Sequence, residues 1–68
     1  MAAVKIIELI GTSSTSSDDA VQQALNEART SLRNIKAVDV VSTGLRGDDL
    51  TEWRALVRIS FLIERVTE

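Results

Sequence analysis

The chain has 68 residues and a net charge of −2 from 8 basic and 10 acidic side chains, and it contains neither cysteine nor histidine. Disulfides and the commonest zinc and copper ligands are therefore excluded, and the interspersed charges argue against nucleic acid or an anionic membrane as partners. A chain of this length is predicted to form one domain, residues 1–68, whose apolar burial only roughly offsets the entropy lost on folding, so we expect a homo-oligomer.

The first predicted element is a strand over residues 3–10. Apolar side chains occupy both of its faces, broken only by Lys5 and Glu8, and β-branched residues are frequent. Gly11 is expected to end the strand. No charged segment followed by a long apolar one precedes it, and no run approaches the roughly 20 apolar residues of a membrane span. We therefore expect a cytoplasmic protein without a membrane partner.

A helix is predicted over residues 18–34, because apolar residues recur there at intervals of three and four. They are Val21, Ala24, Leu25, Ala28, Leu32 and Ile35. The stripe is thin and rich in alanine, which predicts a helix lying close against a sheet. A helix that binds a partner's groove is the less common alternative.

The segment 12–17, which consists of Ser and Thr, is predicted to start this helix. Ser16 or Ser17 is the expected N-cap, since a hydroxyl oxygen can accept a hydrogen bond from an N–H group of the first turn. Asp18 and Asp19 favour the positive end of the helix dipole. The alternative is that the hydroxyl-rich segment binds an anion, as helix N-termini can.

A second strand is predicted over residues 36–45. Its apolar members are Val38, Val40, Val41 and Leu45. A turn rich in glycine and aspartate then leads into the next element.

The longest predicted element is a strand over residues 50–65, in which apolar and polar residues alternate. Its odd-numbered positions are apolar from Trp53 to Ile63, whereas its even-numbered positions combine charged side chains with Leu56 and Leu62. At about 3.3 Å per residue the strand would reach about 50 Å, longer than a compact domain of this size. We predict that the odd face is the core and that the even face is an assembly or ligand surface.

The resulting order is β-α-β-β. A right-handed crossover makes the first two strands parallel, and the last strand best fills the space between them, antiparallel to both. The sequence therefore predicts an α+β fold, in which a three-stranded antiparallel sheet of order 1-3-2 wraps around one helix.

The residue combinations that carry catalysis are missing. There is no histidine or cysteine, and the segment after Gly11 lacks the lysine of a phosphate-binding loop. We therefore predict that the protein is not an enzyme.

Two further features are candidates for a site. Asp48, Asp49 and Glu52 bring three carboxylates within five residues, which suits a hard cation such as Ca²⁺, although a solvated acidic turn is the simpler interpretation. Trp53 is the only tryptophan, and its apolar neighbours at spacing two favour packing in the core over stacking on a ligand.

Three segments resemble the dodecin family. They are residues 4–13 (VKIIELIGTS), residues 24–35 ending in LRNI, and residues 57–64 (VRISFLIE). The resemblance covers essentially the whole chain. It implies a small β-α-β-β protein that assembles into a hollow dodecamer, and a flavin-storage protein rather than an enzyme.

The resemblance also implies a flavin site with two substituted positions. Flavin-binding members carry a stacking Trp shortly after the helix, where this chain has Ala37. They carry a Gln after an aromatic residue of the last strand, where this chain has Arg54 after Trp53. Without the stacking Trp, reduced affinity for riboflavin, FMN or FAD is expected. Some dodecin-like proteins that lack this Trp are associated with calcium instead.

Taken together, these patterns predict a dodecin-like, hollow homododecamer that binds or stores a small molecule, with flavin held at reduced affinity. The alternative is a calcium-binding or purely structural shell without flavin.

Overall fold

The computed structural model describes residues 2–64, which form three strands and one helix in the predicted order. The elements are β1 (Ala2–Ser13), α1 (Ser17–Arg29), β2 (Ile35–Arg46) and β3 (Glu52–Glu64). β3 lies between β1 and β2 and is antiparallel to both, which confirms the predicted α+β fold and the 1-3-2 order. Arg65, the last residue predicted for this strand, lies outside the described residues.

β1 is longer than predicted, because Gly11 lies inside the strand instead of ending it. Gly11 is buried beneath α1. A Cβ atom at this position would overlap the carbonyl oxygen of Ala20 and would lie 2.9 Å from the backbone nitrogen of Ala24. The glycine therefore permits the backbones of β1 and α1 to approach closely, and the prediction that it ends the strand was wrong.

α1 starts as predicted and ends earlier. Ser16 is the N-cap, and its Oγ accepts a hydrogen bond from the Asp19 N–H at 3.0 Å. The helix ends at Arg29 instead of residue 34, and the following Thr30 hydroxyl donates to the Glu27 carbonyl at 2.6 Å. Such local side-chain bonds compete with helix continuation. Asn34 then takes a left-handed backbone conformation, with φ of 60°.

The buried core is small and lies between α1 and β3. Its members are Ala20, Ala24 and Ala28 of the helix and Ala55, Val57 and Ile59 of the strand. The odd-numbered face of β3 is therefore the core face, as predicted. Alanines spaced four residues apart let α1 lie close to the sheet, and the helix contacts all three strands.

The other face of the sheet, turned away from α1, is called the open face here. It carries the even-numbered residues of β3, and the register places Ile10 beside Leu56 and Thr12 beside Arg54. In β2 the register shifts between Val40 and Ser42, so that Ser42 also lies beside Leu56. Because of this bulge, Ser42 and Gly44 lie beside open-face residues of β3, and simple alternation along β2 does not predict which of its residues share that face.

No helix within residues 2–64 is long and apolar enough to cross a membrane.

Candidate functional site

A cleft of about 480 Å³ lies between the end of α1 and the beginning of β2, and Ala37 is part of its wall. The other lining residues are Leu25, Arg29, Leu32, Asn34, Ile35, Lys36 and Val38. A register shift in β2 just before Ala37 places this residue beside Ser60 of β3. The N–H of Leu62 donates to the carbonyl of Asn34 at 2.9 Å and so fixes the entry into β2.

The chemistry of this cleft combines apolar walls with two basic side chains. Ala37 is exposed and offers only a methyl group, so a planar ligand would find no aromatic ring at this position. Arg29 and Lys36 would place positive charge beside the ligand. The cleft is therefore wide enough for a ring system but lacks the feature that would hold it tightly.

Arg54, the second position selected through the resemblance, lies on the open face of β3. Its Nε is 3.4 Å from Oε2 of Glu52, and both side chains are partly exposed to solvent. Arg54 also lines a smaller cleft of about 140 Å³ near the other end of the sheet.

Ala37 and Arg54 do not meet within one chain. Ala37 lies beside Ser60, which is six residues from Arg54 along β3. At roughly 3.3 Å per residue the two positions are about 20 Å apart, farther than an arginine side chain reaches.

The three acidic candidates for a metal site also remain apart. Asp48 and Asp49 are exposed in the turn before β3, whereas Glu52 belongs to β3 and pairs with Arg54. Among residues 2–64 no group of three potential ligands lies close enough to hold a metal ion. A metal site built on these residues would need ligands from a second chain.

Trp53 is partly buried and packs against the core. Its register partners are Ser13 of β1 and Leu45 of β2. This position favours the predicted structural role.

Two serines of the hydroxyl-rich segment before α1, Ser13 and Ser16, form hydrogen bonds with Asp19 in the first turn of the helix. Ser13 Oγ donates to Asp19 Oδ2 at 2.6 Å and accepts from the Thr15 N–H at 2.9 Å. Because these groups already have partners, the segment's structural role as a helix start is favoured over anion binding.

Sequence reasoning missed Arg46, whose side chain lies over Gly44 in the smaller cleft. In the sequence, the only indication of this contact is a glycine two residues before an arginine in a predicted strand. The contact could be recognised only from the register, which places Gly44 beside Arg54.

Comparisons with known proteins agree with this geometry. The family model described as Dodecin matches residues 3–64. A mutant of the Thermus thermophilus dodecin is 30% identical, with a TM-score of 0.85 over 96% of this chain and 100% of that one. The calcium dodecin of Mycobacterium tuberculosis, described as calcium-chelating and as having a calcium-binding site, is 28% identical, with a TM-score of 0.82 over 97% of both chains.

A dodecin from Streptomyces davaonensis has the same fold, with 21% identity and a TM-score of 0.86 over 94% of this chain and 97% of that one. No curated protein sequence matches the chain.

Proposed function

The chain belongs to the dodecin family, and we propose that it is a homododecameric, non-enzymatic binding and storage protein that takes up flavin with reduced affinity. The observation that carries the proposal is the open cleft beside Ala37, which has room for a ring system and lacks an aromatic platform.

The surface of the single chain supports an assembly. Its accessible area is 4993 Å². A compact monomer of this mass would expose about 4,200 Å². The radius of gyration is 14.3 Å, against about 11 Å for a compact domain of 68 residues. An elongated chain with this much excess surface gains stability by covering it with further copies.

The exposed apolar residues support the same proposal. Large side chains that are more than one third exposed include Val4, Ile6, Ile10, Val40, Val41, Leu45 and Leu50. Val4, Ile6 and Ile10 belong to β1, and their pairing with even-numbered residues of β3 places them on the open face of the sheet. Burying apolar surface contributes about 25 cal/mol per Å², so these residues are a large potential source of association energy.

The ligand site of this proposal lies between chains. Ala37 and Arg54 are too far apart along β3 to contact one ring system in the same chain. If both positions belong to one site, one chain supplies Ala37 and another supplies Arg54. Assembly and ligand binding are then coupled, because the site is complete only in the oligomer.

The residues present fit flavin incompletely. The cleft is large and carries apolar walls, but Ala37 removes the aromatic stacking expected from the family resemblance. Arg54 can stack on a ring or bind an anionic group, although it does not reproduce a neutral amide. We therefore place the affinity for flavin below that of a site with the aromatic residue.

Light scattering behind size exclusion and a riboflavin titration test this proposal. The expected mass is about twelve chains, and the expected titration shows saturable but weak quenching of riboflavin fluorescence. A stable monomer at micromolar concentration would contradict the assembly. An intact oligomer that binds neither riboflavin nor FMN would contradict the flavin assignment.

Calcium binding is the second candidate, because a 28% identical dodecin is described as calcium-chelating. The ligands would be Asp48 and Asp49, which are exposed in the turn before β3, joined by carboxylates of a neighbouring chain. Calorimetric titration with Ca²⁺ should show binding that Asp48→Asn weakens and that Asp18→Asn, at an exposed carboxylate on α1, leaves unchanged. Absence of heat in the intact oligomer would exclude this candidate.

The single domain over residues 1–68 and the cytoplasmic location stay predictions from the sequence.

A further inference from the structure

The open face of the sheet carries two groups of charged residues with opposite net charge. Arg58 of β3 lies between Glu8 of β1 and Asp39 of β2 in the register, and these three residues are called the acidic row here. Two carboxylates and one guanidinium give the acidic row a net charge of −1. Two guanidiniums and one carboxylate give the second group, called the basic cluster, a net charge of +1; its members are Arg46, Arg54 and Glu52.

In the acidic row, Asp39 is the charge without an ionic partner. Arg58 pairs with Glu8, since its Nη2 and Nε lie 2.8 Å and 3.1 Å from Glu8 Oε2. Asp39 is the neighbour of Arg58 on the other side and is exposed. Within residues 2–64 its carboxylate forms no ion pair. The negative charge of Asp39 is therefore available to a partner.

In the basic cluster, Arg46 is the charge without an ionic partner. Arg54 Nε lies 3.4 Å from Glu52 Oε2. Arg46 forms no ion pair in the described part of the chain, and its Nη1 donates to the neutral carbonyl of Leu45 at 2.9 Å. Its guanidinium lies over Gly44, where an added Cβ would be 3.0 Å from Nη1. The positive charge of Arg46 thus lies at the level of Arg54, which the register places beside Gly44.

The two unpaired charges are too far apart to meet within one chain. Asp39 lies at the level of Arg58, and the guanidinium of Arg46 lies at the level of Arg54. The two levels are separated by four residues of β3, or about 13 Å at roughly 3.3 Å per residue. An ion pair needs nitrogen and oxygen within about 4 Å. A partner for Asp39 and a partner for Arg46 must therefore come from another molecule.

We propose that a second copy of the chain packs on the open face about a two-fold axis, so that Asp39 of each copy pairs with Arg46 of the other. An apolar pair, Ile10 beside Leu56, separates the acidic row from the basic cluster. When the strands of the two copies run antiparallel and these apolar pairs face each other, each acidic row faces the Arg54 level of the other copy. The two-fold symmetry then forms the ion pair twice. The inference rests on the proposed homo-oligomer and adds the face and the orientation of one of its contacts.

Charge complementarity favours this orientation over the parallel one. Arg58 of one copy faces Arg54 of the other, but each keeps a carboxylate of its own chain, Glu8 or Glu52. The antiparallel contact therefore joins a group of net charge −1 to a group of net charge +1. With parallel strands, each acidic row would face another acidic row, and Asp39 would face Glu8. Such like-charge contacts select against the wrong orientation.

The test uses two charge reversals, measured separately and as a mixture. Asp39→Arg leaves only positive charges at the two positions, and Arg46→Asp leaves only negative ones. Each variant alone should give a smaller mass by light scattering, and its oligomer should dissociate at a concentration about tenfold higher, as expected for the loss of one charge-assisted contact. Mixed in equal amounts, the two variants should regain the wild-type mass, because every pair between unlike copies then joins an arginine to an aspartate. The double variant Asp39→Arg/Arg46→Asp should regain it alone.

The mixture separates a contact between copies from an effect within one chain, such as repulsion between a new arginine at position 39 and Arg58. A loss of mass that neither the mixture nor the double variant restores would overturn the pairing of Asp39 with Arg46. Unchanged mass and dissociation in both single variants would also overturn it, and would leave the homo-oligomer intact. A monomeric wild type would contradict the proposed function itself. Arg33→Asp reverses an exposed arginine between α1 and β2, outside the sheet, and should keep the wild-type mass.

Discussion

Gly11 is the position in this small protein at which a larger side chain is expected to be least tolerated. A Cβ at Gly11 would meet backbone atoms of α1, which cannot move without shifting the helix. We expect Gly11→Ala to destabilise the fold by about 1–3 kcal/mol, as overpacking of a close contact does. The midpoint of denaturant unfolding measures the change.

Gly44→Ala is the matched control for this prediction. Its Cβ would meet only the flexible end of Arg46, and the backbone at Gly44 does not have the positive φ that would strain an alanine. Its unfolding midpoint should stay close to that of the wild type. Equal losses in the two variants would show that the close approach of β1 and α1 is not the cause.

Ala37 is the residue that most limits ligand affinity in the proposed site. Ala37→Trp should restore tight riboflavin binding, because an aromatic stack buries ring surface and displaces water. We expect a gain of at least tenfold, consistent with the roughly 0.5–1.5 kcal/mol of stacking plus the additional buried area. Riboflavin fluorescence titration of the intact oligomer measures it.

Ala37→Leu separates stacking from simple burial. It adds apolar volume at the same exposed position without an aromatic face, so it should give a smaller gain. Unchanged weak binding in Ala37→Trp, with the oligomer intact, would mean that the cleft serves a different ligand.

Among the secondary-structure elements, α1 begins at a single capping interaction. Ser16 Oγ accepts from the Asp19 N–H, so Ser16→Ala should cost about 1 kcal/mol of stability. Ser17, the alternative cap considered from the sequence, is the first residue of α1. Ser17→Ala should be nearly neutral by thermal unfolding, and a larger loss in Ser17→Ala than in Ser16→Ala would contradict the assigned cap.

The elements and their order could be predicted from sequence because α1 and β3 have a clear periodicity, and because β1 and β2 are rich in β-branched residues. The alternation along β3 identified the core face, and Ala55, Val57 and Ile59 are indeed buried there. The helix end was predicted too late, because Leu32 and Ile35 continue the apolar spacing although they pack against the core from outside the helix. Periodicity records which residues face the core, and it does not distinguish a helix from the loop that follows it.

The candidate site was less predictable than the fold. Ala37 and Arg54 were selected through the family resemblance. Only the strand register shows that Ala37 lies beside Ser60, six residues from Arg54 along β3. The pairing of Gly44 with Arg54 follows a bulge in β2, which alternation alone does not reveal. Register and bulges depend on packing between strands, so properties of single positions do not encode them.

For the whole molecule, the apolar side chains are divided between a small buried core and an exposed surface that further copies could cover. Within residues 2–64 the buried apolar core contains six residues, and three of them are alanines of α1. By contrast, Val4, Ile6 and Ile10 remain more than half exposed on one strand. Glu8 lies between them and forms an ion pair with Arg58 at 2.8 Å, so charged and apolar surface alternate along the open face. A surface of this kind can fix the register of a contact between copies as well as stabilise it.

Ile6 is the residue at which this link between surface and assembly can be tested. It is 55% exposed and lies on the open face beside Ser60. A charge introduced there would be desolvated if another copy covers the face, and an unpaired buried charge costs several kcal/mol. We therefore expect Ile6→Glu to lower the mass measured by light scattering to smaller species, and to make thermal unfolding more dependent on concentration.

Gln22→Glu adds the same charge on the exposed side of α1, where it leaves the open face untouched. Its mass and unfolding temperature should match those of the wild type. If Ile6→Glu also kept the full mass and the same unfolding temperature, the open face would be solvent-exposed in the oligomer. Contacts between copies would then have to use the other exposed apolar residues, Val40, Val41, Leu45 and Leu50, which belong to β2 and the turn that follows it.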